Sequence, residues 1–326
     1  MPRKYAYKNP GLLRMARFAD AASAPLARFF KRPEPDREPK VVLAIRLDHI
    51  GDQVLSVPAL KALKAHYPYA RIVLATTRHG YELLTGAGIV DETIVVPFSG
   101  YGTKTSLAGQ ILSVFRLSRV IRRVKPGRVF DLRGDARVIL AARIAAPRVW
   151  LAGFGDTGGS FLLSFEPARD LSLAAWKRPF ALLPGARPES FGGPDRSIAA
   201  EPLDPEILRR FKKVGRFVVA LHVGAGTAAK LWPKDRWKGL IHSMARKYPD
   251  AGFVLIGDES ARLIADLLVR DEELRPYAAR IQNLCTEVRL GQIGTLFEEV
   301  RMLITTDSAP AHLAATRSLK TLGLFS

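Results

Sequence analysis

Short apolar runs alternate with longer amphipathic stretches along most of the chain. In the first half, runs typical of buried strands cover 41–45, 72–75, 93–96, 129–132 and 149–152, and helical periodicity covers 59–66, 81–85, 107–124 and 137–145. In the second half, the predicted strands are 217–222, 253–256, 280–283 and 302–305, and the predicted helices are 236–247, 260–269 and 292–300. This alternation predicts α/β structure in which a parallel sheet carries helices on both faces.

The rhythm is interrupted between residues 153 and 205, where glycine and proline are frequent. We therefore predict two doubly wound, Rossmann-like domains that face one another across a cleft. The predicted divisions are an N-terminal segment at 1–39, a first domain at 40–165, an irregular interdomain segment at 166–205 and a second domain at 206–326.

The N-terminal segment, residues 1–39, is basic and amphipathic. Asn9-Pro10 is typical of a helix start, and Leu12, Met15 and Ala19 follow at helical spacing. A second apolar patch at 26–30 is flanked by basic residues. Such a segment suits an anionic membrane surface, and it equally suits a helix packed on the protein body.

Charge and cysteine content indicate which partners and which cellular compartment to expect for the protein. The 326 residues contain 50 Lys and Arg against 31 Asp and Glu, a net charge of +19, which favours polyanionic partners such as acidic lipid headgroups, phosphorylated glycolipids or nucleic acid. Cys285 is the single cysteine, so the chain can form no internal disulfide and no multi-cysteine zinc site, as expected of a cytoplasmic protein. No apolar run approaches the roughly 18 residues that span a bilayer, and no signal peptide pattern is present.

The first candidate motif, Arg46-Leu-Asp-His-Ile-Gly-Asp52, follows the first predicted strand. Gly51 permits a tight turn, and Asp52 lies near a helix start, where a carboxylate is favoured by the helix dipole. Pro58 is predicted to end or kink the short helical piece that begins here. Asp52 taken alone is explained as well by helix capping as by catalysis.

The second motif, His222-Val-Gly-Ala-Gly-Thr-Ala-Ala-Lys-Leu-Trp-Pro233, follows the first strand of the second half. Gly224, Gly226 and Thr227 let backbone N–H groups approach an anion, and Lys230 supplies a positive charge. The pattern matches neither a Walker A loop nor Gly-x-Gly-x-x-Gly. An ordinary glycine-rich turn with an exposed lysine is the structural alternative.

The third motif, Thr305-Thr-Asp-Ser-Ala-Pro-Ala-His-Leu-Ala-Ala315, follows a later strand. Asp307 or Ser308 is predicted to cap a helix whose free N–H groups form an anion site. His312 lies one turn into that helix and serves either packing or ligand binding. Between the second and third motifs, Glu259 follows the 253–256 strand and could bind a ribose or cap a helix.

Several catalytic patterns are missing from the sequence. It contains no Gly-x-Ser-x-Gly elbow, no His-Glu-x-x-His and no Asp-x-Asp pair for a divalent metal. A transferase built on this chain is therefore expected to stabilise a leaving diphosphate with Lys230 and helix-end N–H groups, without a metal or a further cofactor.

Together the three motifs resemble glycosyltransferase family 9, the ADP-heptose:lipopolysaccharide heptosyltransferases. The likeness covers about residues 40–326 and includes Pro58–Lys64 and Trp237 beside the motifs already quoted. The resemblance implies a GT-B fold, with an acceptor domain at 40–165 and a donor nucleotide-sugar domain at 206–326, and metal-independent inverting transfer to a lipopolysaccharide or related glycan. It also implies a cytoplasmic enzyme, peripheral on the inner face of the cytoplasmic membrane, and makes nucleic acid an unexpected partner.

The resemblance further implies a role for each motif. Asp52 would be the general base that takes the proton of the acceptor hydroxyl, which is consistent with carboxylates being ionised at neutral pH. Lys230 would hold the donor diphosphate, aided by the loop of Gly224, Gly226 and Thr227, and Glu259 would contact the ribose. The contacts to the diphosphate and donor sugar would come from Asp307, Ser308, Ala309 and His312.

Two departures from the family pattern affect these expectations. Ala309 stands where the family usually has glycine, and the added methyl group is expected to weaken a close approach of the diphosphate. The sequence stops at Leu324-Phe325-Ser326, where family members continue to a closing helix, which predicts a truncated donor domain. A sugar-nucleotide epimerase on a similar scaffold, or a non-catalytic polyanion-binding relative, are the alternatives.

Overall fold

The computed structural model of the protein describes residues 24–31, 35, 37–98 and 106–325. Within them the chain divides into two compact units. The first comprises the described residues up to Tyr81 together with Gly88–Gly192, and the second comprises Glu82–Ala87 together with the described residues from Gly193 onward. The division at Gly192 falls inside the segment that the sequence predicts to be irregular.

The first unit is a five-stranded parallel sheet covered by helices. Its elements in chain order are β1 Val41–Arg46, α1 Ile50–His66, β2 Arg71–Thr76, α2 Arg78–Leu84 (whose end, from Glu82, is counted with the second unit), β3 Glu92–Val95, α3 Leu107–Val124, β4 Arg128–Asp131, α4 Ala136–Ala145 and β5 Trp150–Gly153. The strand order is β3-β2-β1-β4-β5, and every pairing is parallel. Because β1 lies at the centre, its continuous apolar run is buried on both faces.

The second unit repeats this design. Its elements are α5 Pro205–Lys212, β6 Phe217–His222, α6 Lys234–Lys247, β7 Ala251–Ile256, α7 Glu259–Val269, β8 Ile281–Asn283, α8 Ile293–Glu299, β9 Met302–Thr306, α9 Ala309–Ala315 and β10 Thr321–Leu324. The order β10-β9-β6-β7-β8 is again all parallel. Its five strands are therefore connected in the same sequence as those of the first sheet. Two Rossmann-like, doubly wound sheets confirm the predicted fold class.

Side chains of the strands and helices form a separate apolar core on each sheet. In the first unit, α3 and α4 bury Leu117, Ile121 and Val138 against the strands. In the second unit, Trp237 of α6 and Phe253 of β7 are fully buried. These cores fix the strands in register, and with them the loops at the carboxyl ends where the three motifs lie.

The structure corrects the prediction at three places. Pro58 does not end the helix: it lies inside the single helix α1, whose buried side chains on both sides of the proline are Val54, Val57, Leu60 and Leu63. Helix α5, which was not predicted, begins where the predicted irregular segment ends, and Asp204 caps it with Pro205 in its first turn. The edge strand β10, which is short and largely exposed, was not predicted.

Most of the predicted N-terminal amphipathic segment, including the helix start at Asn9-Pro10, lies outside the described residues. Part of its remainder packs on the first unit: the Phe30 ring lies 4.8 Å from the Arg143 guanidinium, and Arg128 donates hydrogen bonds to the carbonyls of Pro35 and Arg37. Phe29 stays exposed.

Candidate functional site

The carboxyl end of β1 carries Arg46, which joins two carboxylates of the first motif. Its Nε donates to Asp48 Oδ1 at 2.8 Å, its second terminal nitrogen lies 3.4 Å from Asp52 Oδ1, and its first donates to the Leu132 carbonyl at 2.7 Å. Arg46 and Asp48 are buried, whereas Asp52 is accessible in the first turn of α1. The buried pair therefore orients an exposed carboxylate at the sheet edge.

Further arginines gather at the ends of β4 and β5. Arg133 lies 3.4 Å from Asp48 Oδ2, and Arg169 pairs with Asp156 and donates to the Arg133 carbonyl. Burial, together with the nearby Arg46, lowers the pKa of Arg169 to about 10. Crowded cations of this kind favour binding of an anion at the same edge.

Buried carboxyl groups accompany these arginines. Burial raises the pKa of Asp48, although Arg46 acts in the opposite direction. Burial also raises the pKa of Asp131 to about 6, against the backbone N–H groups of Gly134 and Asp135 that donate to it. By accepting these hydrogen bonds, Asp131 shapes the turn between β4 and α4. Gly134 in this turn has a φ of +93°, and a side chain there would collide with Phe154.

In the second unit, the loop after β6 meets the loop after β9. Lys230 Nζ lies 2.6 Å from Asp307 Oδ2 and 3.4 Å from the Asp307 carbonyl oxygen. Both side chains are about half exposed, and pairs of that kind contribute only about 0–1 kcal/mol to stability. The predicted convergence of these two motifs is present, and a diphosphate at Lys230 would compete with Asp307 for the ammonium group.

Beneath this pair lies a network of uncharged groups on His222, Thr305 and Ser308. The His222 Nδ1 lies 3.2 Å from Thr305 Oγ1 and 3.1 Å from Ser308 Oγ, and the two hydroxyl oxygens are 3.0 Å apart. Burial lowers the pKa of His222 to about 4, so the ring is neutral at physiological pH and can accept a hydrogen bond from a hydroxyl group. Ser308 is the residue before α9, but its side chain caps no N–H of that helix because it is engaged in this network.

Glycines let the chain after β6 and after β7 pass close to Ala261 of α7. A side chain at Gly224 would come within 3.0 Å of the Ala261 Cβ, and one at Gly257, whose φ is +152°, within 2.3 Å of it. Asp258 caps α7 by accepting from the backbone N–H groups of Ser260 and Ala261. Glu259, the neighbouring predicted ribose ligand, is therefore not needed as the cap, and its carboxylate is exposed.

The remaining predicted donor residues lie on the same two loops. Gly226 and Thr227 are exposed, and a side chain at Gly226 would meet nothing within 4 Å. Ala309 and His312 are partly buried in α9, which has only seven residues. The structure thus gathers Gly224, Lys230, Asp307 and Ser308 at one sheet edge, where β6 pairs with β9. Their contacts with a ligand stay predictions.

The sequence reasoning missed several residues that shape these edges. Arg46 and His222 are the first residues of the first and second motifs, but the sequence assigned neither of them a role. Their partners lie far away in the sequence: Leu132 is 86 residues from Arg46, and Ser308 is 86 residues from His222. The sequence did offer one signal, the position of these residues relative to predicted strands: Arg133 and Asp135 lie in the turn after β4, and Thr305 lies in the last two residues of β9.

Among the described residues, no helix combines the length and the apolar character needed to cross a membrane. Nor do these residues bring three His, Cys, Asp or Glu side chains together as metal ligands.

Comparisons with known proteins agree with this architecture. The family model for glycosyltransferase family 9 (heptosyltransferase) matches residues 116–326. Lipopolysaccharide heptosyltransferase 3 of Escherichia coli K12 is 23% identical over 284 residues, which are 84% of this chain and 79% of the relative.

Solved structures are similar over most of the fold. A family 9 glycosyl transferase from Veillonella parvula has a TM-score of 0.68 at 17% identity and covers 88% of this chain and 86% of its own. An E. coli heptosyltransferase with ADP-2-deoxy-2-fluoro heptose has a TM-score of 0.65 at 16% identity, and the match covers 86% of this chain and 87% of that one. The fold is thus GT-B. Because the family model covers well over half of the chain, this protein belongs to glycosyltransferase family 9 and is a glycosyltransferase.

Proposed function

We propose that this glycosyltransferase moves a heptose from ADP-heptose to a lipopolysaccharide or related glycan acceptor, with inversion and without a metal. The observation that carries the proposal is the meeting of Lys230 with Asp307 at the glycine-lined edge where β6 and β9 end. The heptose and the adenine base of this proposal are taken from the family relatives.

The donor side of the proposal depends on charge and space. A diphosphate needs positive charge as its bond to the sugar breaks, and Lys230 supplies it. The uncharged His222 network beneath it offers hydroxyl groups without adding a competing negative charge. Gly224 lets the loop pass close to Ala261, where a side chain would be crowded.

The acceptor side depends on Asp52. The Asp52 carboxylate takes the proton of the acceptor hydroxyl while that oxygen forms a bond to the anomeric carbon of the donor sugar. The bond from this carbon to the diphosphate breaks, and the nucleoside diphosphate leaves with the electron pair. Arg46 acts as a positioning residue, since it contacts both Asp48 and Asp52 and holds the carboxylate at the end of β1.

The proposed setting is the cytoplasm, at the inner face of the membrane where a lipid-linked acceptor is available. The net charge of +19 suits an acceptor that carries phosphate groups.

A thermal-shift panel tests the donor assignment. The ligands are heptoses and hexoses linked to ADP, UDP, GDP or CDP. They are added to the wild type, to Lys230→Ala and to a control, Lys212→Ala, which changes an exposed lysine on α5. We expect one nucleotide to stabilise the wild type and the control equally, and Lys230→Ala to lose most of that shift. A folded wild type that responds to no nucleotide, or a Lys230→Ala variant that responds fully, contradicts the proposal.

A further inference from the structure

Helix α3 exposes an apolar surface that the proposed donor and acceptor sites do not use. Leu107, Ile111, Leu112 and Phe115 are between 47% and 74% exposed. Spacings of three and four residues place them on one side of the helix. The opposite side, with Leu117 and Ile121, is packed in the core, so the exposed row is not a second core face.

The neighbouring helix extends this surface. Leu140 and Ile144, one turn apart on α4, are 45% and 40% exposed. Helices α3 and α4 are in contact, since Ser118 Oγ donates to the Ala141 carbonyl at 3.0 Å. Six large apolar side chains on two adjacent helices form a patch of the kind that marks an interaction surface.

The second half of α3 continues the same side with positive charge. Arg116, Arg119, Arg122 and Arg123 are exposed, and none of their guanidinium groups forms a hydrogen bond or ion pair with the described part of the chain. The sequence has no Asp or Glu between Glu92 and Asp131. Apolar side chains followed by unpaired arginines are the composition of helices that lie in the interface of an anionic bilayer.

We propose that the outward faces of α3 and α4 dock on an anionic lipid membrane. The apolar side chains enter the boundary between headgroups and acyl chains, and the arginines bind lipid phosphates. Charge argues against two other occupants of this face. A second copy would bring two positive faces together, and residues 1–23 of this chain are themselves basic, with Arg3, Lys4, Lys8, Arg14 and Arg17 against Asp20.

The orientation suits the acceptor domain. Because α3 follows β3 in a parallel sheet, its apolar first half begins at the carboxyl edge, where Asp52 also lies. Docking there would turn this edge toward a lipid-borne acceptor. This last step depends on the proposed function, whereas the docking itself depends only on the surface.

Vesicle sedimentation of the full chain tests the docking without any transfer assay. The probes are vesicles of phosphatidylethanolamine with phosphatidylglycerol, and vesicles of phosphatidylcholine alone. We expect binding to the anionic vesicles that weakens with salt. Ile111→Ser with Phe115→Ser should lower the partition coefficient at least tenfold. Arg119→Gln with Arg122→Gln should lower it about twenty-fivefold, at roughly fivefold for each charge.

Matched controls come from the second unit. Helix α7 exposes Leu263 and Leu267, but Glu259 and Asp266 lie beside its Arg262. Leu263→Ser with Leu267→Ser, and Arg246→Gln with Lys247→Gln on α6, should bind vesicles as the wild type does. Wild-type binding by the α3 variants, or equal losses in the α6 and α7 controls, would overturn the proposal. So would a change in oligomeric state on Phe115→Ser with unchanged vesicle binding.

Discussion

The two sheets have the same strand connectivity but different chemistry at their carboxyl edges. At the first edge, Arg46 and Arg133 surround the buried Asp48, and the accessible Asp52 extends from this ionic cluster. At the second, His222 and two hydroxyl groups form an uncharged network, and the charged pair Lys230–Asp307 lies exposed above it. The first arrangement suits control of a proton, and the second suits binding of a diphosphate. The scaffold fixes where these residues lie, and their side chains decide what each edge does.

Replacing Asp52 tests the role of the first edge and should have the largest effect. Asp52→Asn should lower the transfer rate about 10²- to 10⁴-fold, because the acceptor proton loses its base, while the thermal shift given by the donor nucleotide stays unchanged. Steady-state kinetics with the identified donor measure the rate. Glu92→Gln, an exposed carboxylate of the same unit, is the control and should keep wild-type turnover. Full activity of Asp52→Asn would exclude it as the base.

Replacing Arg46 tests whether the first edge depends on its buried ion pair. Arg46→Met leaves Asp48 buried without its closest cation and should lower the free energy of unfolding by about 3–5 kcal/mol. Arg71→Met, which removes an exposed pair with Glu92, should cost about 1 kcal/mol or less. Urea denaturation measures both. Equal losses in the two variants would show that the buried pair contributes no more to the free energy of unfolding than the exposed pair does.

Acid should affect the two edges in opposite directions. The pKa of His222 is lowered to about 4, so the neutral ring makes its full contribution to the free energy of unfolding above about pH 6.5. As the pH falls from about 6.5 toward 4, this contribution of up to about 3 kcal/mol is lost. The pKa of Asp131 is raised to about 6, so protonation between about pH 6 and 4 stabilises the first unit.

Calorimetry of the wild type and His222→Gln at several pH values measures the first of these effects. The variant should be less stable than the wild type near neutral pH, and this difference should shrink as the pH falls. A difference that is constant across the range would mean that His222 titrates normally.

The smallest expected effect concerns Ala309. Ala309→Gly should tighten nucleotide binding by about two- to fivefold, because it removes a methyl group from the first residue of α9. Isothermal titration measures the affinity. Weaker or unchanged binding would show that the family's usual glycine has no role at this position of this chain.

Much of the fold could be predicted because the central strands are continuous apolar runs. The run at 217–222 matches β6, and the pattern at 107–124 matches α3. Local signals failed where packing decides the outcome. Pro58 is tolerated because buried neighbours hold α1 in place, and β10 owes its conformation to pairing with β9.

For the candidate site, the sequence could predict which loops follow the strands, while the roles of their residues stay predictions. The motifs identified Asp52, Lys230 and Asp307, because glycine-rich or acidic turns directly follow strands. The contacts of Arg46 and His222 could not be predicted, since their partners come from other strands and only the folded sheet brings them together.

The central claim, that the second edge binds a diphosphate through Lys230, has one direct test. Isothermal titration compares the nucleoside diphosphate that gives the largest thermal shift with its parent nucleoside, on the wild type and on Lys230→Ala. We expect the variant to bind the diphosphate at least tenfold more weakly and the nucleoside with unchanged affinity. Equal weakening of both ligands, or no weakening of either, would contradict the claim.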